Sequence, residues 1–450
     1  MTMTSHGADH QAGGTAAGGR YAWIVLSILC FVYVLNFLDR QLLSILAKPI
    51  QDELGVSDSQ LGRLGGLYFA LFYCTISIPV AWLADRTNRV RVLSIACALW
   101  SAATIACGLS NSYTQLVVAR MAVGIGEAGG VPPSYSIISD YFARDRRGRA
   151  LGIFNLGPPI GQALGVAFGA TIAARYDWRA AFVALGVVGV IAAALVLAIV
   201  REPKRGATDP VETASTIENG AMENGTIGFG PAAKAFVANP VLMLAALAAG
   251  ATQFVTYGSL NFTTLFLMRE KGMTLAEIAV WYALLLGIGV SAGIYFSGWL
   301  VDRLTGKSRS AYALIPAVGL ALAVPPFIGF VHAPTWSVAM LFLIGPTLLN
   351  YFYLSPMVAL VQNSVAAHQR TLSGAISLLI ANLIGLGLGP TYVGAASDWF
   401  RVAHPDSPLQ LAFYSLVPFY FVAIVLFLML ARMLRREDRR LQRQEPRSVT

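Results

Sequence analysis

Charge is scarce in this chain. Of 450 residues only 12% are Asp, Glu, Lys or Arg, while 56% are apolar and the mean hydropathy is +0.63. A soluble domain carries about 25% charged residues. So little polar surface excludes a compact soluble enzyme, and the long apolar blocks exclude a disordered chain. Cysteine is equally sparse. Cys30, Cys74, Cys97 and Cys107 all sit inside apolar runs, which excludes a disulfide framework and a thiolate metal cluster. His332, His368 and His404 fall in or beside loops without metal-ligand spacing, so no metal site is expected. No Walker A sequence occurs: Gly306-Lys307-Ser308 has Val301 where the earlier glycine must stand. Gly124-Ile125-Gly126-Glu127-Ala128-Gly129 fits the dinucleotide pattern but lies in an apolar block with no preceding strand. No cofactor is expected, and no nucleophile–base arrangement marks an enzyme.

What the chain has instead is twelve apolar blocks, at about 22–46, 62–84, 91–109, 113–139, 149–173, 179–200, 240–267, 277–301, 311–331, 335–361, 372–397 and 409–431. Most reach the roughly 20 residues that cross about 30 Å of hydrocarbon. One set of connecting segments carries Arg86, Arg89, Arg91, Arg144, Arg146, Arg147, Arg149, Arg201, Lys204, Arg205, Lys234, Arg303, Lys307, Arg309 and Arg370. The opposite set has only Lys48, Arg63, Arg175, Arg179, Arg269, Lys271 and Arg401. The bias of Lys and Arg toward the inside predicts an inner-membrane protein with both termini in the cytoplasm. It also accounts for the net charge of +9 without nucleic acid as a partner. The organisation read from this is a flexible tail (1–20), an N-terminal six-helix bundle (21–201), a cytoplasmic linker (202–236), a C-terminal six-helix bundle (237–432) and a basic tail (433–450). The linker holds Asp209, Glu212, Glu218 and Glu223; the last segment sets Arg432, Arg435, Arg436, Arg439, Arg440 and Arg443 on one helical stripe, either solvated or against anionic headgroups.

The two halves repeat. Span 2 ends in Ala81-Trp82-Leu83-Ala84-Asp85-Arg86-Thr87-Asn88-Arg89 and span 8 in Gly298-Trp299-Leu300-Val301-Asp302-Arg303-Leu304-Thr305-Gly306-Lys307; Gly157-Pro158 of span 5 is matched by Gly389-Pro390 of span 11. Each pair is six spans apart. The expected fold is an all-α membrane protein of twelve transmembrane helices in two pseudo-symmetric six-helix bundles, which in such duplications rock about a midplane site. The Asp-Arg strings resemble the signature of the major facilitator superfamily, with Ala81 and Asn88 in its glycine positions. The resemblance implies that Asp85, Arg86, Arg89, Asp302 and Arg303 act as gating residues. Asp85 would face the amides that open span 11 near Thr371 to Gly374, where the helix dipole is positive, and Asp302 those that open span 5. Gly157 and Pro158 join this gating set. Gly157, Gly161, Gly165 and Gly169 form a small face that lets another helix approach, and Pro158 and Pro159 weaken the helix nearby.

Four charges lie well inside spans: Asp39, Arg40, Arg120 and Glu127. Each costs about 2.5–3.5 kcal/mol at the bilayer centre on insertion scales, so each is a functional candidate. Asn36, Asp39 and Arg40 share one face of span 1, and Arg120, Gly124 and Glu127 one face of span 4. Two carboxylates and two guanidiniums balance when all are ionised. A carboxyl in such a place takes up or loses its proton as an arginine is engaged or released. Glu127, with Asp39 as partner, is the expected proton-coupling group, and Arg40 and Arg120 the expected anion-binding groups. Polar and aromatic residues in the remaining spans complete the expected substrate site: Asn36, Asn155, Gln253, Thr256, Tyr257, Asn261, Asn350, Tyr351 and Tyr353. Gly258 is a candidate bend.

Asn36-Phe37-Leu38-Asp39-Arg40 and Arg120-Met121-Ala122-Val123-Gly124-Ile125-Gly126-Glu127-Ala128 resemble the Spinster branch of the superfamily. That resemblance implies a proton-coupled carrier of lysophospholipids or sphingolipids. The expectation is therefore a secondary transporter, acting as a monomer among membrane lipids, of an amphipathic anionic or zwitterionic lipid-like substrate. The alternative is a proton-coupled exporter of drugs or organic anions, because Gly157-Pro158 also resembles the antiporter motif.

Overall fold

A computed structural model describes residues 19–205, 229–306, 308–365 and 370–444. The expected tail at 1–18, most of the linker with its four acids, Lys307, His368 and 445–450 lie outside these residues. So do the side chains of Arg370, Thr371, Arg440 and Arg443. Among the described residues all regular structure is helical. Eleven helices are long and apolar enough to cross a membrane. We number them by span: α1 Arg20–Ile45, α2 Asp58–Arg86, α3 Arg89–Gly108, α5 Asp145–Arg175, α6 Trp178–Ile199, α7 Pro240–Arg269, α8 Leu275–Thr305, α9 Ala311–His332, α10 Trp336–Asn363, α11 Leu372–Arg401 and α12 Pro408–Arg439.

The fourth of the twelve expected spans is broken near its middle. It forms two short helices, Tyr113–Glu127 and Val131–Tyr141, here called the outer and inner parts of α4. The cause is local. Gly129 and Gly130 resist helix, and Pro132 and Pro133 have no N–H to give the Ala128 and Gly129 carbonyls. The chain turns there, with the Gly130 amide donating to the Glu127 carbonyl at 3.1 Å. The break thus falls directly after a candidate proton-binding residue. α5 is interrupted by the same chemistry. Its first piece ends at Phe154, and Pro158 and Pro159 open the second, Gly157–Arg175, where missing N–H groups cost nothing. α7 by contrast runs unbroken through Gly258. The absent side chain there admits the Gly389 carbonyl of α11 instead of making a break.

The glycine face of α5 packs on α1. A Cβ at Gly161 would stand 2.8 Å from Phe37 Cβ, at Gly165 2.7 Å from Gln41 Cβ, and at Gly169 2.8 Å from Leu42. The four cysteines are free thiols, three of them buried.

Both chain ends share one face. The Tyr21 hydroxyl donates to the Ile199 carbonyl (2.6 Å) and accepts from the Arg201 amide (3.1 Å), tying the start of α1 to the end of α6. Arg309 pairs with Glu437 at 3.5 Å, tying the end of α12 to the start of α9. We call this the terminal face and the other the far face.

The halves are fastened at the far face. Asp58 opens α2 and is fully buried. Its carboxylate accepts from Arg269 at the end of α7 (2.8 Å), from Ser397 of α11 (2.6 Å), from Gln51 (2.6 Å) and from Arg401 at the end of α11. Asp398 returns the contact, its carboxylate accepting the amides of Asp58 (3.1 Å) and Ser59 (2.8 Å) at the N-terminus of α2, where a helix favours negative charge. A Cβ at Gly66 would stand 2.6 Å from the Gly387 carbonyl oxygen, so only glycine lets α2 lie this close to α11. The Ser44 hydroxyl of α1 bonds the Asn261 carbonyl of α7 at 2.9 Å. Within the N-terminal half, Glu53 accepts from Arg179 (2.6 Å) and Trp178 (2.7 Å). The Arg179 and Trp178 hydrogen bonds hold its carboxyl below the usual carboxylate range. The halves also meet along α5 and α8, where a Cβ at Gly287 would stand 3.0 Å from Ala163 Cβ.

Candidate functional site

The four charges within the membrane meet, and they divide into two pairs. Asp39 of α1 accepts from Arg120 of α4 at 3.0 Å and from the Thr104 hydroxyl of α3 at 2.9 Å. Both members are almost wholly buried, at 2% and 1% side-chain exposure. Arg40 donates through Nε to Glu127 Oε2 at 2.7 Å. Here Glu127 is fully buried but Arg40 is 15% exposed. The second Glu127 oxygen, Oε1, has no hydrogen-bond partner among the described residues. The first pair is therefore internally satisfied at its carboxylate. The second keeps an open acceptor and a guanidinium edge that reaches open space.

Local sequence explains the arrangement. Asp39 and Arg40 are adjacent, so they point about 100° apart around α1; one turns to α3 and α4, the other toward the opposite half. Gly124 sits between Arg120 and Glu127, where a Cβ would stand 2.8 Å from the Phe69 carbonyl. This lets α2 press close and lay aromatic rings along the cations. The Arg40 guanidinium lies 4.7 Å from the Tyr73 ring, 4.9 Å from Phe37 and 5.1 Å from Phe69, and Arg120 lies 5.4 Å from Phe69. Such stacking offsets the lost hydration of a cation.

A cavity lies between the halves, mainly on the far-face side of Arg40. Arg40, Gln41, Arg120 and Gln162 line it from the N-terminal half, and Tyr257 and Asn261 from the C-terminal half. A second, small pocket lies within the C-terminal half. Leu286, Phe327 and Leu343 make it apolar, and Thr256, Asn350 and Tyr351 add polar edges. Leu260 borders both.

The expected substrate residues therefore spread over several places. Arg40, Arg120, Tyr257 and Asn261 share the central cavity. Thr256, Asn350 and Tyr351 line the pocket beyond it, with Asn350 Nδ2 donating to the Tyr420 hydroxyl at 3.0 Å. Gln253 and Tyr353 are buried in the C-terminal half. Asn155 is exposed near the interruption of α5, where it accepts from the Tyr135 hydroxyl at 2.5 Å. Asn36 lines neither cavity; it faces a smaller void inside the N-terminal half.

The gating residues behave differently from one another. Asp85 and Asp302 are exposed, and among the described residues neither carboxylate is in an ion pair. Arg86 lies over Trp82 at 4.1 Å and Arg303 over Trp299 at 5.3 Å. The carbonyls ending α2, at Ala84, Asp85 and Thr87, accept from Arg205 of the linker. Arg89 is buried and bound to Asp140 (2.5 Å), Glu202 (2.6 Å) and the Ser136 hydroxyl (2.7 Å). It fastens α3 to α4 and the linker within one half. Gly157 packs on the Tyr33 ring, where a Cβ would come within 2.8 Å.

Sequence reasoning missed two groups. Asp58, Arg269, Arg401 and Asp398 sit at span ends, where charges read as loop residues. Gln162 sits beside Gly161 in the small-residue face of α5; a polar residue in that run was the available signal.

The Major Facilitator Superfamily profile matches residues 29–390. The chain is 31% identical over 383 residues to an MFS-type efflux pump of Mycolicibacterium smegmatis, covering 85% of this chain and 86% of that protein. It is 26% identical to protein spinster homolog 3 of Danio rerio, covering 95% and 88%. The fold superposes with a TM-score of 0.83 and 29% identity on a crystal structure of a bacterial homologue of the human lysosomal transporter Spinster. That structure is inward-facing and unoccupied, and the match covers 94% of this chain and 99% of that one. With its halves closed at one face over a charged cavity, the chain belongs to the major facilitator superfamily and is a transporter of the Spinster type.

Proposed function

We propose that this transporter moves an amphipathic anionic or zwitterionic lipid-like substrate, of lysophospholipid or sphingolipid type, by proton-coupled alternating access. The observation that carries the reading is the Arg40–Glu127 pair at the edge of the central cavity, with Glu127 Oε1 unpartnered. A substrate anion and the Glu127 carboxylate compete for one guanidinium. Anion binding frees Glu127 to take a proton, and protonation of Glu127 frees Arg40 to bind an anion. Each event favours the other through electrostatics alone. The neighbouring apolar pocket in the C-terminal half suits the other end of such a molecule.

The Lys and Arg bias supports placing the terminal face in the cytoplasm of an inner-membrane protein. Far-face closure then corresponds to a state open to the inside. The proton gradient supplies the energy without nucleotide, and each chain carries a whole site and so works as a monomer. A second reading, a proton-coupled exporter of drugs or organic anions, draws on the name of the mycobacterial relative.

Proteoliposomes with an imposed pH gradient test the two. Movement of fluorescent lysophosphatidylglycerol that collapses when the gradient is dissipated supports the first. Gradient-driven movement of ethidium with none of the lipid supports the second. Lipid movement indifferent to the gradient contradicts proton coupling.

A further inference from the structure

A groove runs along the outside of the N-terminal half, between α1 and α6. Ile24, Ser27, Ile28 and Phe31 of α1 and Ala192 and Leu195 of α6 line it. Ala192 is buried and makes the floor, while Ile24, Phe31 and Leu195 are exposed along the walls. These residues belong to spans, so hydrocarbon faces them rather than water. At about 3.6 residues per turn, Arg40 falls on the opposite side of α1. The groove is therefore separate from the central cavity.

Positive charge closes the groove at the terminal face. Arg20 lies four residues before Ile24 and continues its stripe along α1. The chain brings Arg201 beside it: the Arg201 amide donates to the Tyr21 hydroxyl at 3.1 Å, and that hydroxyl donates to the Ile199 carbonyl at 2.6 Å. Both arginines are exposed, and among the described residues neither side chain is in an ion pair. The neighbouring acid, Glu202, is taken by Arg89 at 2.6 Å. From Arg20 to Phe31 the stripe rises about 16 Å at 1.5 Å per residue. That is close to half of the roughly 30 Å of hydrocarbon, the depth of one leaflet.

We propose that this groove binds an anionic diacyl phospholipid from the leaflet at the terminal face, its phosphate on Arg20 and Arg201 and one acyl chain over Ala192. Basic residues where spans leave the membrane attract acidic headgroups. A groove that holds the chain turns that general attraction into a site. The lipid is a resident of the N-terminal half and not the cargo, because it meets neither Arg40 nor Glu127. Bound there, it fastens the start of α1 to the end of α6 alongside the Tyr21 hydrogen bonds. A zwitterionic phospholipid fits the same groove but gains less from two unpaired cations. A second copy of this chain is disfavoured as the occupant, because a two-fold contact through this face sets arginines against arginines.

Native mass spectrometry of the detergent-purified protein tests this, with phosphatidylglycerol and phosphatidylcholine of identical acyl chains added in equal amounts. The wild type should retain one phosphatidylglycerol per chain in preference to phosphatidylcholine. Arg20→Ala and Arg201→Ala should each lower that retention about fivefold, the scale of one basic residue at an anionic surface, and leave phosphatidylcholine unchanged. Ser27→Trp, which fills the groove from an exposed position, should remove the bound lipid. Arg40→Ala should keep it. Equal retention of the two lipids by the wild type overturns the inference, whether or not any variant folds. So does undiminished retention in folded Ser27→Trp. Loss of phosphatidylglycerol in folded Arg40→Ala places the lipid in the central cavity and overturns it too, as does a lipid-free dimer that Ser27→Trp breaks.

Discussion

Two ion pairs one residue apart on α1 have different work. Asp39–Arg120 is dry, and both Asp39 oxygens are bonded. Removing one partner strands a buried charge, so Arg120→Met should destabilise the protein by about 3–5 kcal/mol. The double substitution Asp39→Leu with Arg120→Met should recover much of that loss in thermal melts, because buried pairs add little net stability over apolar residues. Equal destabilisation by the single and double changes would contradict this structural role. Arg40→Ala should instead act on the ligand, abolishing binding of an anionic lysophospholipid in equilibrium titrations. Retained affinity would remove Arg40 from the site. The sequence exposed all four charges because ionisable groups are so rare within its apolar blocks. It could not pair them, since helical spacing assigns a face but not the neighbour that face meets. Asn36 shows the cost: it shares a face with Asp39 and Arg40, yet α1 is contacted on several sides and Asn36 turns to the smaller void inside the N-terminal half.

At the scale of elements, small residues and prolines decide where helices meet or break. Gly165 admits Gln41 of α1 so closely that Gly165→Leu should overpack the contact and cost about 1–3 kcal/mol in melting measurements; an unchanged melting point would show that α1 and α5 yield freely. The interruption of α4 has a sequence cause in Gly129, Gly130, Pro132 and Pro133, but the apolar count across 113–139 hid it, because hydropathy does not register missing N–H groups. Restoring those donors with Pro132→Ala and Pro133→Ala should heal part of the helix, raise thermal stability and slow transport. Faster transport would argue against a working break. Packing within the N-terminal half is also pH-sensitive, at Glu53. Its folded pKa is depressed by Arg179 and Trp178. Its contribution is therefore full above the unfolded pKa and is lost as pH falls through the folded one. The melting difference between wild type and Glu53→Gln should shrink on acidification and persist at neutral pH.

For the whole molecule, the internal repeat already implied two six-helix bundles, and the structure shows them fastened by charged side chains at the far face. What no repeat could reveal is the lock, because Asp58, Arg269 and Arg401 come from the ends of three spans distant in sequence. Asp58→Ala should shift the population toward a far-face-open state, seen as longer distances between spin labels placed across that face. An unchanged distance distribution would mean that helix packing at Gly62 and Gly66 closes it alone. The central claim is that a single carboxylate beside Arg40 trades its proton against the substrate anion. Binding of lysophosphatidylglycerol to wild type and to Glu127→Gln, titrated at one pH below neutrality and one above, tests it most directly. The account predicts tighter binding at the lower pH in the wild type and pH-independent binding in Glu127→Gln; the same pH dependence in both proteins would contradict it.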